Sequence, residues 1–366
     1  MKNNLYLDVH VLQTVPPSCG NRDDTGSPKT AIYGGTTRAR VSSQAWKRAI
    51  RQMFREEIFP PQVLGARTKR VIGMVEGEIL NLQPDANAKK LAQDVLALAG
   101  VKFKEEKKDS GKDASAEALF FMSVGQARAL AKIAVQNVAE KKEAKKLCLE
   151  ALKGTPSVDI ALFGRMVASE PLLNCDAAAQ VAHSISTHTV QNEFDYFTAV
   201  DDLAPEDTSG AGHLGTLEFN SSTMYRYATV NLLELASSLG MADTAKAARG
   251  FVEAFIRSMP TGRQNSYANR TLPSMVYVTI RRDQPVNLCG AFERPVRAGE
   301  NGYAAESEKR LVKHAKEVYS AYAAEPVESF AIGEEIREIA NIVRLDTLLD
   351  TVCEKTEAYL KESEGM

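Results

Sequence analysis

The cysteines of this chain form no metal-binding or redox pair: Cys19, Cys148, Cys175, Cys289 and Cys353 are an odd, scattered set without a CxxC motif. That spacing argues against a disulfide framework and against a zinc knuckle. His10, His183, His188, His213 and His314 likewise lack ligand spacing, since His183 and His188, five apart, do not share a helical face cleanly. Neither a metal nor a cofactor is expected. No uninterrupted apolar run approaches membrane-spanning length. The opening residues pass straight into an alternating strand without a cationic leader and apolar core. The expectation is a cytoplasmic protein with no membrane partner.

Another absence says more. From Thr25 to Arg55 there is no Asp or Glu, while Lys29, Arg38, Arg40, Lys47, Arg48, Arg51 and Arg55 all fall there. The chain of 366 residues carries a formal net charge of only -2, so the cations are offset elsewhere. Glu306, Glu308, Glu317, Glu325, Glu328, Glu334, Glu335 and Glu338 supply much of the offset. A segregated positive field is what a phosphate backbone recognises, and an acidic opposite end suits contact with a basic neighbour.

A hydrophobic content of 44% is enough for a substantial core. Leu5, Leu7, Val9 and Val11 alternate with Tyr6, Asp8, His10 and Leu12, which predicts a strand with one face buried. A polar loop over 16–28 follows. Gly34 and Gly35 then free the backbone, and Arg38 to Val41 lead into a helix opened by Ser42 and Ser43. Over 43–59 that helix sets Trp46, Ala49, Ile50 and Met53 on one side and Lys47, Arg48, Arg51 and Arg55 on the other. Residues 60–171 read as helical and rich in Ala, broken by a polar loop over 102–117. Alternation over 186–200 and 213–227, around a turn-rich tip at 201–212, predicts a long β-hairpin. Helices over 229–239 and 242–259, a strand over 275–280, and helices over 304–322 and 334–361 complete the chain.

Three blocks of residues carry a resemblance to a known family. The first is Ser18-Cys19 with Asn21 to Asp24, Gly34-Gly35, Arg40 to Gln44 and Lys47 to Ala49. The second is Ala161 to Met166. The third joins Phe197 to Asp202 with His213 to Gly215, Glu218-Phe219 and Tyr225 to Ala228. In that order they resemble the CasC family, the backbone subunit of the type I-E CRISPR Cascade complex. The resemblance implies an α+β fold: a modified RRM-like (ferredoxin-like) palm, inserted helical fingers and a β-hairpin thumb. The expected segments are 1–59 for the first part of the palm, 60–185 for the fingers, 186–227 for the thumb and 228–366 for the rest of the palm. It further implies a scaffold, not an enzyme, that stacks with copies of itself along a CRISPR RNA. Other Cascade subunits and a target DNA strand, paired through the guide, are the remaining partners.

A protein that holds any guide must grip phosphate and sugar and leave base edges open. The candidate RNA contacts in the amino-terminal run are Lys29, Gly34, Gly35, Arg38, Arg40, Ser42, Ser43, Gln44, Lys47, Arg48 and Arg51, which combine cations, hydroxyls at a helix start and unshielded backbone N–H groups. Two readings stand for Asn21 and Arg22: they pin a turn through Asp23 or Asp24, or Arg22 reaches RNA, as the resemblance favours. Tyr196 and Phe197 are strand neighbours on opposite faces, so one can pack while the other stacks on a displaced nucleotide. Thr198 beside them, Met166 by resemblance, and Arg263 with Asn265 in a polar loop extend the set. Lys141, Lys142, Lys145 and Lys146 recur at helical i, i+1, i+4, i+5 spacing, and by resemblance they hold DNA. The competing reading is a metal-dependent ribonuclease using Asp23 or Asp24, as in relatives of the superfamily that cut RNA with an aspartate in a palm loop.

Overall fold

The structure is a computed structural model, and it describes residues 4–104, 115–136, 140–199, 202 and 213–364. Most of the polar loop expected over 102–117 and nearly all of the hairpin tip at 201–212 lie outside the described residues. In chain order the strands are β1 (Tyr6–Ser18), β2 (Thr30–Tyr33), β3 (Thr36–Val41), β4 (Gly65–Thr68), β5 (Phe120–Ser123), β6 (Ala179–Val181), β7 (Ser184–Ser186), β8 (Glu193–Ala199), β9 (His213–Asn231), β10 (Met275–Arg281), β11 (Glu328–Ile332) and β12 (Asn341–Ile342). The α-helices are α1 (Ser43–Met53), α2 (Val71–Leu82), α3 (Ala88–Leu98), α4 (Val124–Gln136), α5 (Lys141–Lys153), α6 (Val158–Phe163), α7 (Leu232–Leu239), α8 (Met241–Arg257), α9 (Gln264–Tyr267), α10 (Gly302–Ala321) and α11 (Leu345–Glu364).

The chain forms two compact units, one of residues 1–50, 181–229 and 251–351, the other of 51–180, 230–250 and 352–366. The first is organised by a sheet in the order β12-β11-β10-β1-β9-β7-β3-β2, with β8 hydrogen-bonded to β9. β1 runs antiparallel to β10 from Tyr6↔Arg281 to Leu12↔Met275, and β10 runs antiparallel to β11. The sheet is thus built from both ends of the sequence. β1 departs from the expected half-buried strand, because both of its faces are covered. Leu7, Val9 and Val11 are buried on one side, and Asp8 and His10 on the other. Most of the polar pair is met internally: Tyr227 Oη (3.1 Å) and Val286 N (2.8 Å) donate to the Asp8 carboxylate, and His10 Nδ1 lies 2.9 Å from Tyr225 Oη, while His10 Nε2 is buried without a hydrogen-bond partner. Buried polar groups are tolerated when they are bonded in this way.

The turn at Gly34-Gly35 joins β2 to β3 with φ of 58° and 75°, the left-handed region that favours glycine. Gly34 has a second reason to be glycine, since a Cβ there would sit 1.6 Å from the Glu293 carbonyl oxygen. α1 buries Trp46, Ala49, Ile50 and Met53, as its period predicts. It ends six residues before the expected stop and passes into a π turn, Phe54–Ile58, closed by Phe59 N on Phe54 O at 2.8 Å. Pro60 and Pro61 follow, and proline disfavours further helix.

The second unit packs α2, α3, α4 and α5 around Val75, Ile79, Leu96, Leu130 and Leu152. Its strands β4 and β5 pair antiparallel, an addition to the helical reading of this region. It also takes in α7, which packs on α6. The last helix starts at Leu345, later than the expected 334, because Asn341 and Ile342 are drawn into β12 beside Phe330 and Ala331 of β11.

Candidate nucleic-acid interface

The loop after β1 is tied to the start of α1 through backbone groups. Ser42 N donates to Asn21 Oδ1 at 2.8 Å, Lys29 N to Asn21 O at 2.9 Å, and Arg40 N to Lys29 O at 2.9 Å. Ser42 Oγ in turn accepts from Ala45 N at 3.3 Å, so Ser42 caps the helix and is buried. Asn21 and Ser42 thereby position the strip that carries Lys29, Arg40, Ser43, Gln44, Lys47 and Arg48. Gln44 and Arg48 are exposed; Lys29, Arg40, Ser43 and Lys47 are half-buried. Burial holds the Lys47 ammonium below its ordinary pKa. Arg22 is exposed on the same loop.

Arg40 Nε donates to Thr30 O at 3.1 Å, and its Nη1 donates to His183 Nδ1 at 3.2 Å. The pKa of His183 is lowered by desolvation and by the charges of Arg40 and Lys29. His183 thus joins the cationic strip from a stretch 143 residues from Arg40, and nothing in its sequence neighbourhood signalled it.

Two expected contacts are corrected. Arg38 is wholly buried, and its guanidinium donates to Ser186 O (2.9 Å), Phe292 O (2.9 Å), Glu293 O (3.2 Å) and Thr36 Oγ1 (3.0 Å). It has no surface to offer a polyanion; it ties the end of β3 to the 292–293 backbone. Arg51 is held within the second unit. Its Nε meets Asp159 Oδ2 at 3.2 Å and its guanidinium lies 4.3 Å from the centre of the Phe121 ring. Asp159 also accepts from Gly65 N (2.8 Å) and Ser157 Oγ (2.7 Å), so this cation belongs to a buried network. Gly34 is exposed, with the Glu293 carbonyl lying where a side chain would begin.

Asp23 accepts from Thr25 Oγ1 (2.7 Å), Thr25 N (2.9 Å) and Ser27 N (3.0 Å) through one oxygen. The Thr25 hydroxyl first, with these amides, holds its carboxyl below the usual range. Ser27 Oγ then donates to Glu218 Oε1 at 2.8 Å, which ties the loop to the base of the hairpin. Asp23 is thus occupied as a turn-maker. Among the described residues no group of three or more His, Cys, Asp or Glu is placed to hold a metal. No helix there is long and apolar enough to cross a membrane.

β8 and β9 form a two-stranded ribbon with Phe194↔Glu218, Tyr196↔Thr216 and Phe197↔Gly215 opposed. Every residue of β8 is exposed, Phe194 at 69%, Tyr196 at 63% and Phe197 at 36%. Phe197 lies across Gly215, where a Cβ would come within 2.5 Å of its ring. Tyr196 and Phe194, two apart, stand on the opposite face. Phe194 is a member of this aromatic face that the sequence reading passed over, although period-two spacing from Tyr196 was there to find it. Thr198 is exposed beside them. Arg263 adopts φ 50° and immediately precedes α9; its Nη1 is buried without a hydrogen-bond partner. In the second unit Met166 is 86% exposed, and Lys141, Lys142, Lys145 and Lys146 are exposed along α5, with Lys146 3.9 Å from Glu150.

Comparison with known proteins aligns residues 7–355 with the CT1975-like protein family. Among solved structures, a chain of a "CRISPR RNA-guided surveillance complex, pre-nicking" matches with a TM-score of 0.82 at 30% identity, covering 96% of this chain and 100% of that one. A chain of a "CRISPR RNA-guided surveillance complex" matches with a TM-score of 0.61 at 27% identity, covering 94% and 99%. No curated protein sequence matches.

Proposed function

Because the chain belongs to the CT1975-like protein family, we propose that it is a non-catalytic scaffold subunit of a CRISPR surveillance complex, one that holds the CRISPR RNA through its backbone and presents the guide for pairing. The observation that carries this reading is the full-length likeness to a chain of an RNA-guided surveillance complex. The cationic strip of Arg22, Lys29, Arg40, Lys47 and Arg48 agrees with it. These groups suit phosphate, the part of the strand that carries no sequence information.

In this reading the β8–β9 ribbon is the thumb. Its Phe194 and Tyr196 face supplies stacking surface for a displaced nucleotide, and Met166 and Arg263 serve as further RNA contacts. Copies of the chain stack along one RNA, other Cascade subunits join them in the cytoplasm, and the α5 lysines hold DNA by charge alone. The test is electron microscopy of the chain co-expressed with a CRISPR array and its neighbouring genes. The expected result is an RNA-containing assembly with regularly repeated copies, lost when residues 193–217 are deleted. RNA-free monomers from the intact chain would sink the reading, as would RNA cleavage in Mg²⁺ that Asp24→Ala abolishes.

A further inference from the structure

Beside the cationic strip lies a small cavity of about 50 Å³ whose lining includes Ser18, Asn21, Lys29, Arg40, Asn220 and Asn269. Its size decides what it can take. It is far below the roughly 150 Å³ cavity that accepts a benzene ring, but a few water molecules or a hydroxyl group fit. A nucleobase therefore cannot enter, and a sugar hydroxyl can.

The lining brings together polar side chains that are nearly buried. Asn269 is 3% exposed and Ser18 is 6% exposed, and neither is among the polar groups sealed from solvent without a partner. The small area each keeps open is therefore available to water or to a ligand. Asn220 is 8% exposed and gives its Nδ2 to Asn192 Oδ1 at 3.0 Å, which leaves its own amide oxygen as an acceptor. The same cavity is bordered by Lys29 and Arg40. Uncharged donors and acceptors thus sit beside the two cations, a pairing that matches a hydroxyl next to a phosphate.

We propose that this cavity receives the ribose 2′-hydroxyl of the nucleotide whose phosphate lies against Lys29 and Arg40, with the Asn269 amide and the Ser18 hydroxyl as its partners. The site then selects RNA over DNA without reading a base, since the 2′-hydroxyl is both donor and acceptor and is the group that distinguishes the two. The inference rests on the RNA-binding reading above and adds to it a source of sugar specificity.

The test measures binding of the full chain to three oligonucleotides of one sequence, an RNA, its 2′-O-methyl form and its DNA counterpart, by fluorescence anisotropy over a range of salt. The wild type is expected to bind the RNA roughly five-fold more tightly than either of the others, the scale of one hydrogen bond. Asn269→Ala is expected to remove most of that preference while leaving DNA affinity and the salt slope unchanged, and Asn269→Ser to retain part of it. Equal binding of all three by the wild type would overturn the sugar site and leave the phosphate grip standing. So would a loss in Asn269→Ala that is equal for RNA and DNA. Binding to none of them would instead count against the RNA-binding reading itself. Should Asn269→Ala fail to fold, the wild-type comparison of RNA with its 2′-O-methyl form still decides, because methylation removes the hydroxyl proton that the site's acceptors take.

Discussion

Replacing Lys29, Lys47 and Arg48 together by Gln tests whether the strip grips phosphate. These three lie on the strip, whereas Arg38 and Arg51 are held by buried carbonyl and carboxylate groups. Each neutralised phosphate contributes about 0.7 to the log-log salt slope for a single strand, so losing three flattens the slope by about 2. Across a fourfold rise in salt, the variant's affinity should fall about twenty-fold less than that of the wild type. The assay is anisotropy with two RNAs of unrelated sequence, because a backbone grip must weaken equally for both. Arg51→Gln provides the internal contrast: its partner is Asp159, so it should lower stability and leave the slope alone. An unchanged slope in the triple variant would refute the placement of the grip, and so would a loss confined to one sequence.

Two predictions concern the frame that holds the strip. Gly34→Ala should destabilise the chain by more than about 2 kcal/mol in urea unfolding, since left-handed φ alone costs a side chain about 1–2 kcal/mol and the Glu293 carbonyl must also move. Gly35→Ala, with φ of 75° and nothing within 4 Å of its Cβ, should cost only the first of these; equal losses at the two positions would count against the packing argument. Asp159→Ala strands the half-buried Arg51 guanidinium, the Gly65 amide and the Ser157 hydroxyl. A loss of about 3 kcal/mol is expected, with no change in RNA salt slope; a slope change would return Arg51 to the candidate surface.

Much of this protein is local and was open to reading in one dimension. The buried side of α1 follows from a 3.6-residue period, the β8–β9 ribbon from alternation around a turn-rich tip, and the β2–β3 turn from two adjacent glycines. The acid-free run was visible too, and with it the general location of a cationic strip.

The division of labour within that run was not local. Arg38 and Arg40 are two apart on one strand, yet Arg38 is sealed under the 292–293 backbone while Arg40 stays half open beside His183. Arg51 lies four residues after Lys47, yet its charge is answered by Asp159, 108 residues away. Asn269 and Ser18, far apart in sequence, both line one cavity. Residue type and spacing determine which side chains can carry charge and which face of an element is apolar. Whether a given cation is spent on a carbonyl, a carboxylate or a ligand depends on groups that only tertiary folding brings within hydrogen-bond reach.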